Sequence, residues 1–237
     1  MTIPVKTTRN MTATPTQCDF CNELAGGREN SFGRLYGGQP ERRVLFRSDN
    51  FAVIPSLGQI VEGYLLVLPI EHFKAVGDLP DHYLEEFVTV CQRVGQILED
   101  QYGSYIFFEH GTRSEGVGGC GIYHAHLHAV PIPPTLDPVD TLKAKFPYKQ
   151  MRDLAEIREQ SVGMSAYIFY QDSNSRTYLF DTPNLVSQYM RRTLAALLSA
   201  NDWDWRSAAR EGRLLATLDH LSTFFDGPPF SPGLAAK

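Results

Sequence analysis

The sequence predicts a fold that combines β-strands with α-helices, and three stretches of the chain support this prediction. Residues 64–69 form a continuous apolar run of strand length, as in a strand that is buried on both faces. Apolar side chains within residues 80–102 repeat at helical spacing and predict one amphipathic helix. Residues 123–133 alternate histidines with apolar residues, and this period of two predicts a β-strand.

Length and composition limit the possible functions. The 237 residues suit one large domain, or one domain with an extension. The net charge of −5 argues against a broad nucleic-acid-binding surface, because such surfaces are basic. We therefore expect no nucleic-acid partner. No apolar run is long enough for a membrane helix, so we expect no membrane partner either.

The first motif is a pair of cysteines, Cys18 and Cys21, behind a Thr-rich stretch that we expect to be a disordered leader, residues 1–17. The chain has four cysteines and does not look like a secreted disulfide framework, so we expect a cytoplasmic protein. Cys-x-x-Cys is then typical of a metal site or a redox pair. Metal is favoured because no strand precedes the motif. Zinc takes four ligands, and histidines elsewhere are the candidates for the other two.

Residues 43–46 and 51–55 predict two strands around a turn. His72 follows the apolar strand at its exit. The helix begins near Pro80, whose missing N–H is harmless in a first turn, and Gly103 follows its end.

A further strand at residues 105–108 ends at Glu109 and His110, which either recognise substrate or cap the strand. The Gly-rich residues 112–121 follow, and the backbone N–H groups of such a loop can approach an anion closely. Cys120 in this loop is either a reactive thiol or a small residue in a tight turn.

The C-terminal half predicts a hairpin and helices. Residues 166–170 and 177–180 read as paired strands, and residues 185–198 form a helical stripe. Residues 203–225 predict one or two helices, and we expect residues 227–237 to be a flexible tail.

The histidine stretch is the strongest chemical signal. A strand places His124, His126 and His128 on one face and small apolar residues on the other. Imidazoles in a row can act as nucleophile, acid/base or metal ligand near neutral pH. The alternative is a solvated strand face that happens to be rich in histidine.

Three motifs resemble a known family. The stretch from His124 to Val130 resembles the His-φ-His-φ-His-φ-φ signature of the histidine-triad nucleotide hydrolases and transferases. The pair Cys18 and Cys21 resembles the opening of metal-binding bacterial members. Residues 63–72 resemble the family's Gly-His-x-Leu-Val-x-Pro-x-x-His strand. The resemblance covers residues 18–134.

The resemblance implies an α+β fold, with an antiparallel sheet, flanking helices and a homodimer formed by joining two sheets. We therefore expect residues 18–134 to be a histidine-triad domain. Residues 135–226 are then a C-terminal extension, with a hairpin and helices, packed on that domain.

The resemblance also implies roles for the histidines. His126 would attack the α-phosphorus of a nucleotide and form a covalent nucleotidyl-histidine. His128 would contact phosphate oxygens or protonate the leaving group. The metal ligands would be Cys18, Cys21, His72 and His124, a closed set of four that implies structural zinc.

The sequence departs from the family at substrate contacts. Tyr64 replaces a histidine, Cys120 and Gly121 replace Gln and Ser/Thr, and residues 54–57 lack the acid that often binds ribose. The departures predict retained chemistry with altered substrate preference. The expected substrate contacts are Tyr64, Glu109, His110, Cys120 and Gly121. Arg191 and Arg192 are candidates for phosphate contacts, with a solvated helix face as the alternative for at least one.

The leading prediction is a nucleotide hydrolase that cleaves a phosphoanhydride or phosphoramidate bond. The first alternative is a nucleotidyl transferase or phosphorylase, in which phosphate or another acceptor replaces water. The second is a nucleotide-binding protein that has lost turnover, which the changes at Tyr64, Cys120 and Gly121 favour.

Overall fold

The computed structural model describes residues 18–37, 43–113, 121–207 and 211–225. The expected leader, the expected flexible tail and Cys120 lie outside these residues. Within the described ranges, no helix is long and apolar enough to cross a bilayer.

The strands form a single antiparallel sheet of eight in the order β1-β2-β3-β5-β4-β7-β8-β6. Their bounds are β1 Phe46–Arg47, β2 Phe51–Pro55, β3 Leu65–Pro69, β4 Tyr105–Thr112, β5 Leu127–Pro131, β6 Tyr148–Met151, β7 Ala166–Gln171 and β8 Thr177–Asp181. The predicted antiparallel sheet and the predicted C-terminal hairpin, here β7 and β8, are confirmed.

Helices flank this sheet on both faces. Their bounds are α1 Asp19–Leu24, α2 Ser31–Tyr36, α3 Asp81–Tyr102, α4 Val139–Lys145, α5 Ile157–Gln160, α6 Tyr189–Leu197 and α7 Glu211–Phe225. The predicted long helix is confirmed as α3, which Pro80 precedes and Gly103 follows in the left-handed conformation. One or two helices were predicted at residues 203–225. Among the described residues of this range, α7 is helical and residues 203–207 are not.

Strand alternation divides the core into two layers. On one face, side chains such as Val67, Phe107 and Leu127 pack with α3. On the other face, side chains such as Leu66 and Phe108 pack with α1, α4 and α6. All five residues of β3 are buried, as the sequence predicts for a strand covered on both sides.

Two predicted strands are wrong in their bounds. Only Phe46 of the stretch 43–46 is in β1, because Arg43 turns inward to the Glu23 carboxylate. The histidine strand begins at Leu127 rather than at residue 123. His124 and His126 precede the sheet, because pairing with β3 ends at the Val67–Leu127 pair and the Ala125 N–H bonds to the Phe73 carbonyl at 2.6 Å.

The C-terminal half is built into the sheet. β7 pairs with β4 along its length, from Phe107 opposite Gln171 to Thr112 opposite Ala166. This pairing also explains why β4 runs on to Thr112, beyond the predicted end at residue 108. The edges of the sheet are β1 and β6, and three of the four residues of β6 are exposed. The division at residue 134 and the homodimer remain predictions.

Candidate active site and metal cluster

Two cysteines and two histidines from distant parts of the chain meet at the entrance to β5. The ligand atoms of Cys18, Cys21, His72 and His124 all lie within 4.8 Å of one another. The helix α1 presents the cysteines, the exit of β3 presents His72, and the approach to β5 presents His124. These four residues could hold a metal ion.

Their spacing fits tetrahedral zinc. Bond lengths to sulfur and nitrogen at the tetrahedral angle place S and N about 3.5 Å apart. Here His124 Nδ1 lies 3.4 Å from Cys18 Sγ and 3.5 Å from Cys21 Sγ, and His72 Nδ1 lies 3.3 Å from Cys21 Sγ.

The His124 tautomer also suits a ligand. His124 Nε2 lies 2.8 Å from the Pro69 carbonyl, an acceptor only, so Nε2 carries the proton. Nδ1 therefore points an unprotonated lone pair at both sulfurs. The two thiols differ. A hydrogen bond from Cys21 lowers the pKa of Cys18 and so favours its thiolate, whereas the same bond raises the pKa of Cys21.

His126 lies beside the cluster and is 7% exposed. Its Nδ1 is 2.5 Å from the His124 carbonyl, which accepts the Nδ1–H and leaves Nε2 unprotonated. Burial lowers the pKa of His126 to about 4, so the ring is neutral at pH 7. The arrangement therefore presents a neutral imidazole with a nucleophilic Nε2.

His128 is the partner of His126, with ring centroids 4.8 Å apart. It is stacked on Phe108 at 4.3 Å and bonds through Nδ1 to the Tyr64 hydroxyl at 2.8 Å. Burial, together with His126, His110 and Arg191, lowers the pKa of His128 well below its usual range. When the Tyr64 hydroxyl donates to Nδ1 of His128, the ring carries its own proton on Nε2. His128 can then donate a hydrogen bond from Nε2.

Helix α6 ties the C-terminal half to these histidines. The Met190 N–H donates to His110 Nε2 at 3.2 Å, and the His110 ring lies 6.2 Å from that of His128. Burial lowers the pKa of His110 to about 3. Arg191 is buried and donates to Ser56 Oγ at 3.2 Å and to the Gly58 carbonyl at 2.6 Å. Arg191 thus anchors α6, whereas Arg192 lies over the Trp203 ring.

A cavity of about 30 Å³ adjoins His126. It is lined by Phe20, Arg43, Ser56, Leu57, Leu66, Ile122, His126 and Trp205. This volume holds about one water molecule, so a nucleoside does not fit into the cavity as it stands. The Trp205 side of the wall comes from the C-terminal half.

The sequence matches no family model and none of the curated proteins. A solved structure similar to this chain is a hypothetical histidine triad nucleotide-binding protein of Sulfolobus tokodaii, with 23% identity and a TM-score of 0.37 over 48% of this chain and 68% of that one. A zinc-bound histidine triad family protein of Mycobacterium smegmatis has 19% identity and a TM-score of 0.34 over 51% and 78%. Yeast Ap4A phosphorylase in complex with AMP has 11% identity and a TM-score of 0.37 over 70% and 75%.

The chain resembles histidine-triad proteins. Its antiparallel sheet and the order of its motifs fit that resemblance: the cysteine pair, the strand ending at His72, and the histidines at β5.

The structure places most of the predicted site residues together. The two cysteines and His72 surround His124, and Tyr64 and His110 adjoin His128. Gly121 has φ +81°, a left-handed conformation that favours glycine, and an added Cβ would also displace the Arg206 guanidinium.

Glu109 lies away from the histidines. Because side chains alternate along β4, it points to the face opposite His110. Its carboxylate accepts from the Val76 N–H at 2.6 Å and from the Tyr167 hydroxyl at 2.7 Å. It therefore anchors the turn at Val76 rather than lining the histidine site.

We expect Glu109 to make stability fall with pH. Burial raises its pKa to about 8, from an ordinary value near 4.5 in the unfolded chain. Between these values the unfolded state releases a proton that the folded state keeps, so the free energy of unfolding falls as pH rises, by up to about 5 kcal/mol. Urea denaturation at pH 5 and pH 8 should show a flatter profile for Glu109→Gln. The exposed Glu85→Gln should keep the wild-type profile, and parallel profiles for all three proteins would refute this account.

Sequence reasoning missed three residues beside His126, namely Arg43, Ser56 and Trp205. Arg43 and Ser56 lie in or next to predicted strands and carry no motif. Trp205 offered a weak signal, because the chain has only two tryptophans and both lie near one another in the C-terminal half.

Proposed function

We propose that this protein is a nucleotide hydrolase that cleaves a phosphoanhydride or phosphoramidate bond at the α-phosphorus through a covalent nucleotidyl-His126. The observation that supports this proposal is the His126 Nδ1–H bond to the His124 carbonyl, which leaves Nε2 as the nucleophile in a neutral ring. The same carbonyl stabilises the positive charge that the ring acquires when Nε2 bonds to phosphorus.

The reaction has two displacements. Nε2 of His126 attacks the α-phosphorus while the bond to the leaving oxygen or nitrogen breaks, and the Nε2–H of neutral His128 donates a hydrogen bond to the leaving atom, which takes its proton from solvent. Water then attacks the same phosphorus, releases its proton to solvent, and the bond to His126 breaks. The products are a nucleoside monophosphate and the free leaving group.

The substrate contacts follow from the positions of the side chains. Tyr64 orients His128 through the 2.8 Å bond, and His110 limits the space beside it. We propose that the N–H groups near Gly121 bind equatorial phosphate oxygens. Cys120 remains a prediction for this contact, and the placement of Glu109 does not support a substrate contact.

We propose that Cys18, Cys21, His72 and His124 bind structural zinc. Zinc would supply a cross-link between α1 and the approach to β5, and the four protein ligands leave no position for a catalytic water. The cross-link holds the His124 carbonyl, and hence the His126 tautomer, in place.

Intact mass spectrometry after mixing with a nucleotide panel tests the proposed function. We expect a transient adduct of nucleoside monophosphate mass on the wild type. Turnover that requires added phosphate and releases a nucleoside diphosphate would instead identify a phosphorylase. Tight binding of nucleotides with no adduct would favour a binding protein without turnover, for which the enclosed position of His126 is the supporting observation.

Three further proposals concern the cellular compartment, the domain division and the oligomeric state. The free thiols of Cys18 and Cys21 suit a reducing compartment, so we propose a cytoplasmic protein. We propose that residues 135–226 pack on a histidine-triad domain of residues 18–134. We also propose a homodimer in which two sheets join edge to edge. Strand β4 is not available for this contact, because β7 already pairs with it, whereas β6 is an edge strand with exposed residues.

A further inference from the structure

Arg43 is a fully buried cation in the wall of the cavity beside His126. Its Nε donates to the Pro55 carbonyl at 2.9 Å, and its Nη1 donates to both oxygens of Glu23 at 2.8 and 2.7 Å. Its Nη2 is buried and has no hydrogen-bond partner among the residues that the structure describes. A buried donor without a partner is costly, so this nitrogen favours an acceptor supplied from outside the chain.

The rest of the cavity indicates the shape and polarity of that acceptor. Its other walls are apolar or aromatic, with Phe20, Leu57, Leu66, Ile122 and Trp205. Ser56 is already satisfied, since its hydroxyl accepts from Arg191 and donates to the Leu57 carbonyl. Such walls suit a flat ring better than a phosphate, and Arg43 is the residue of this lining that has an unsatisfied donor.

The charge of Arg43 needs no further counter-ion. Both carboxylate oxygens of Glu23 lie on Nη1, and the side chains of this pair are 1% and 2% exposed. A neutral oxygen therefore satisfies Nη2 as well as an anion would.

We propose that Arg43 Nη2 recognises a keto oxygen on the base of the substrate. This oxygen is the one at purine C6 or pyrimidine C4, which hypoxanthine, guanine and uracil present. Adenine and cytosine present an amino group at that position, and its N–H groups would oppose those of Arg43. The inference rests on the proposed function, since it assigns the cavity to the nucleoside of the substrate that His126 attacks. Entry of the base requires the wall at Trp205 to move outward, because the cavity holds about one water molecule.

Equilibrium binding to the His126→Asn protein tests this proposal without turnover. The ligands are two pairs of 5′-monophosphates, those of inosine and adenosine and those of uridine and cytidine. Each pair differs at one exocyclic position from keto to amino. We expect the keto member to bind about tenfold more tightly, the effect of one hydrogen bond to a charged group. Equal affinity within both pairs would overturn the proposal and leave Nη2 as the partner of a buried water.

Variants of the ion pair assign the preference to Arg43. Arg43→Lys keeps a cation beside Glu23 but lacks Nη2, and we expect it to lose the preference. Glu23→Gln keeps Nη2 and should retain the preference. If melting shows that Arg43→Lys does not fold, Arg43→Met with Glu23→Met removes both charges together. A preference that survives the loss of Arg43 would overturn the proposal.

The proposed function can fail separately. Adducts that form equally with every base would overturn the role of Arg43 and leave the hydrolase standing. No binding and no adduct with any nucleotide would overturn both.

Discussion

Replacing His126 by asparagine is expected to lower kcat by at least about a thousandfold. Asparagine is close to histidine in size, and its amide N–H can still donate to the His124 carbonyl that holds the ring in the wild type. It has no nitrogen that can attack phosphorus, so the covalent step is lost. Initial rates with a nucleoside phosphoramidate and with a dinucleoside polyphosphate measure the effect, and the transient mass adduct should disappear.

A second histidine is the control for His126→Asn. His82 lies in α3, is exposed, and is not among the residues that line the cavity. His82→Asn should keep the wild-type rate, and both variants should melt near the wild-type temperature. A His126→Asn protein that keeps a tenth of the activity would rule out His126 as the nucleophile.

Removing one cysteine of the metal cluster is expected to abolish metal binding and lower the stability of the protein. We expect one zinc per chain in wild-type protein purified without chelators, and none in Cys21→Ser. Without zinc, we expect the free energy of unfolding to fall by about 4 kcal/mol, which is a fraction of the binding free energy of structural zinc in small domains. For a chain of this length, that loss lowers Tm by about 8 to 16 °C. Metal analysis by mass spectrometry and a thermal melt of the same samples measure both changes.

Cys91 is the matched control for the metal site. It lies in α3, is buried in the core and is outside the cluster, and burial raises its pKa well above the usual range. Cys91→Ala should lose some stability through a small cavity and keep its zinc. Wild-type protein with well under one zinc per chain would contradict the proposed site. So would a Cys21→Ser protein that melts at the wild-type temperature.

The elements with strong periodicity could be predicted from the sequence. The apolar stripe of α3 and the apolar run of β3 were recognised because each pattern reports burial of the element itself. The hairpin of β7 and β8 was recognised because its two strands are adjacent in the chain. The bounds of β1 and of the histidine strand were missed, because they depend on where pairing with another strand stops.

Glu109 and His110 show that adjacent residues of one strand can lie in different parts of the molecule. The sequence offered both as substrate contacts or as a strand cap. The pairing of Phe108 with His128 decides the matter, because it places the face of Phe108 and His110 toward the histidines. Glu109 then points to the opposite layer, where it bonds to Val76 and Tyr167.

The sequence alone was enough to predict which residues carry the proposed chemistry, because the three histidines and two cysteines are recognisable by type and spacing. Only the tertiary structure decided what surrounds them. Arg191 reaches Ser56 across 135 residues of chain, and Trp205 comes to the same cavity as Arg43 and His126. Local periodicity reports which face of an element is buried, whereas contacts between distant segments depend on how β4 and β7 pair and where α6 packs. The proposed nucleophile could therefore be predicted from the sequence, whereas the residues that line the cavity beside it could not.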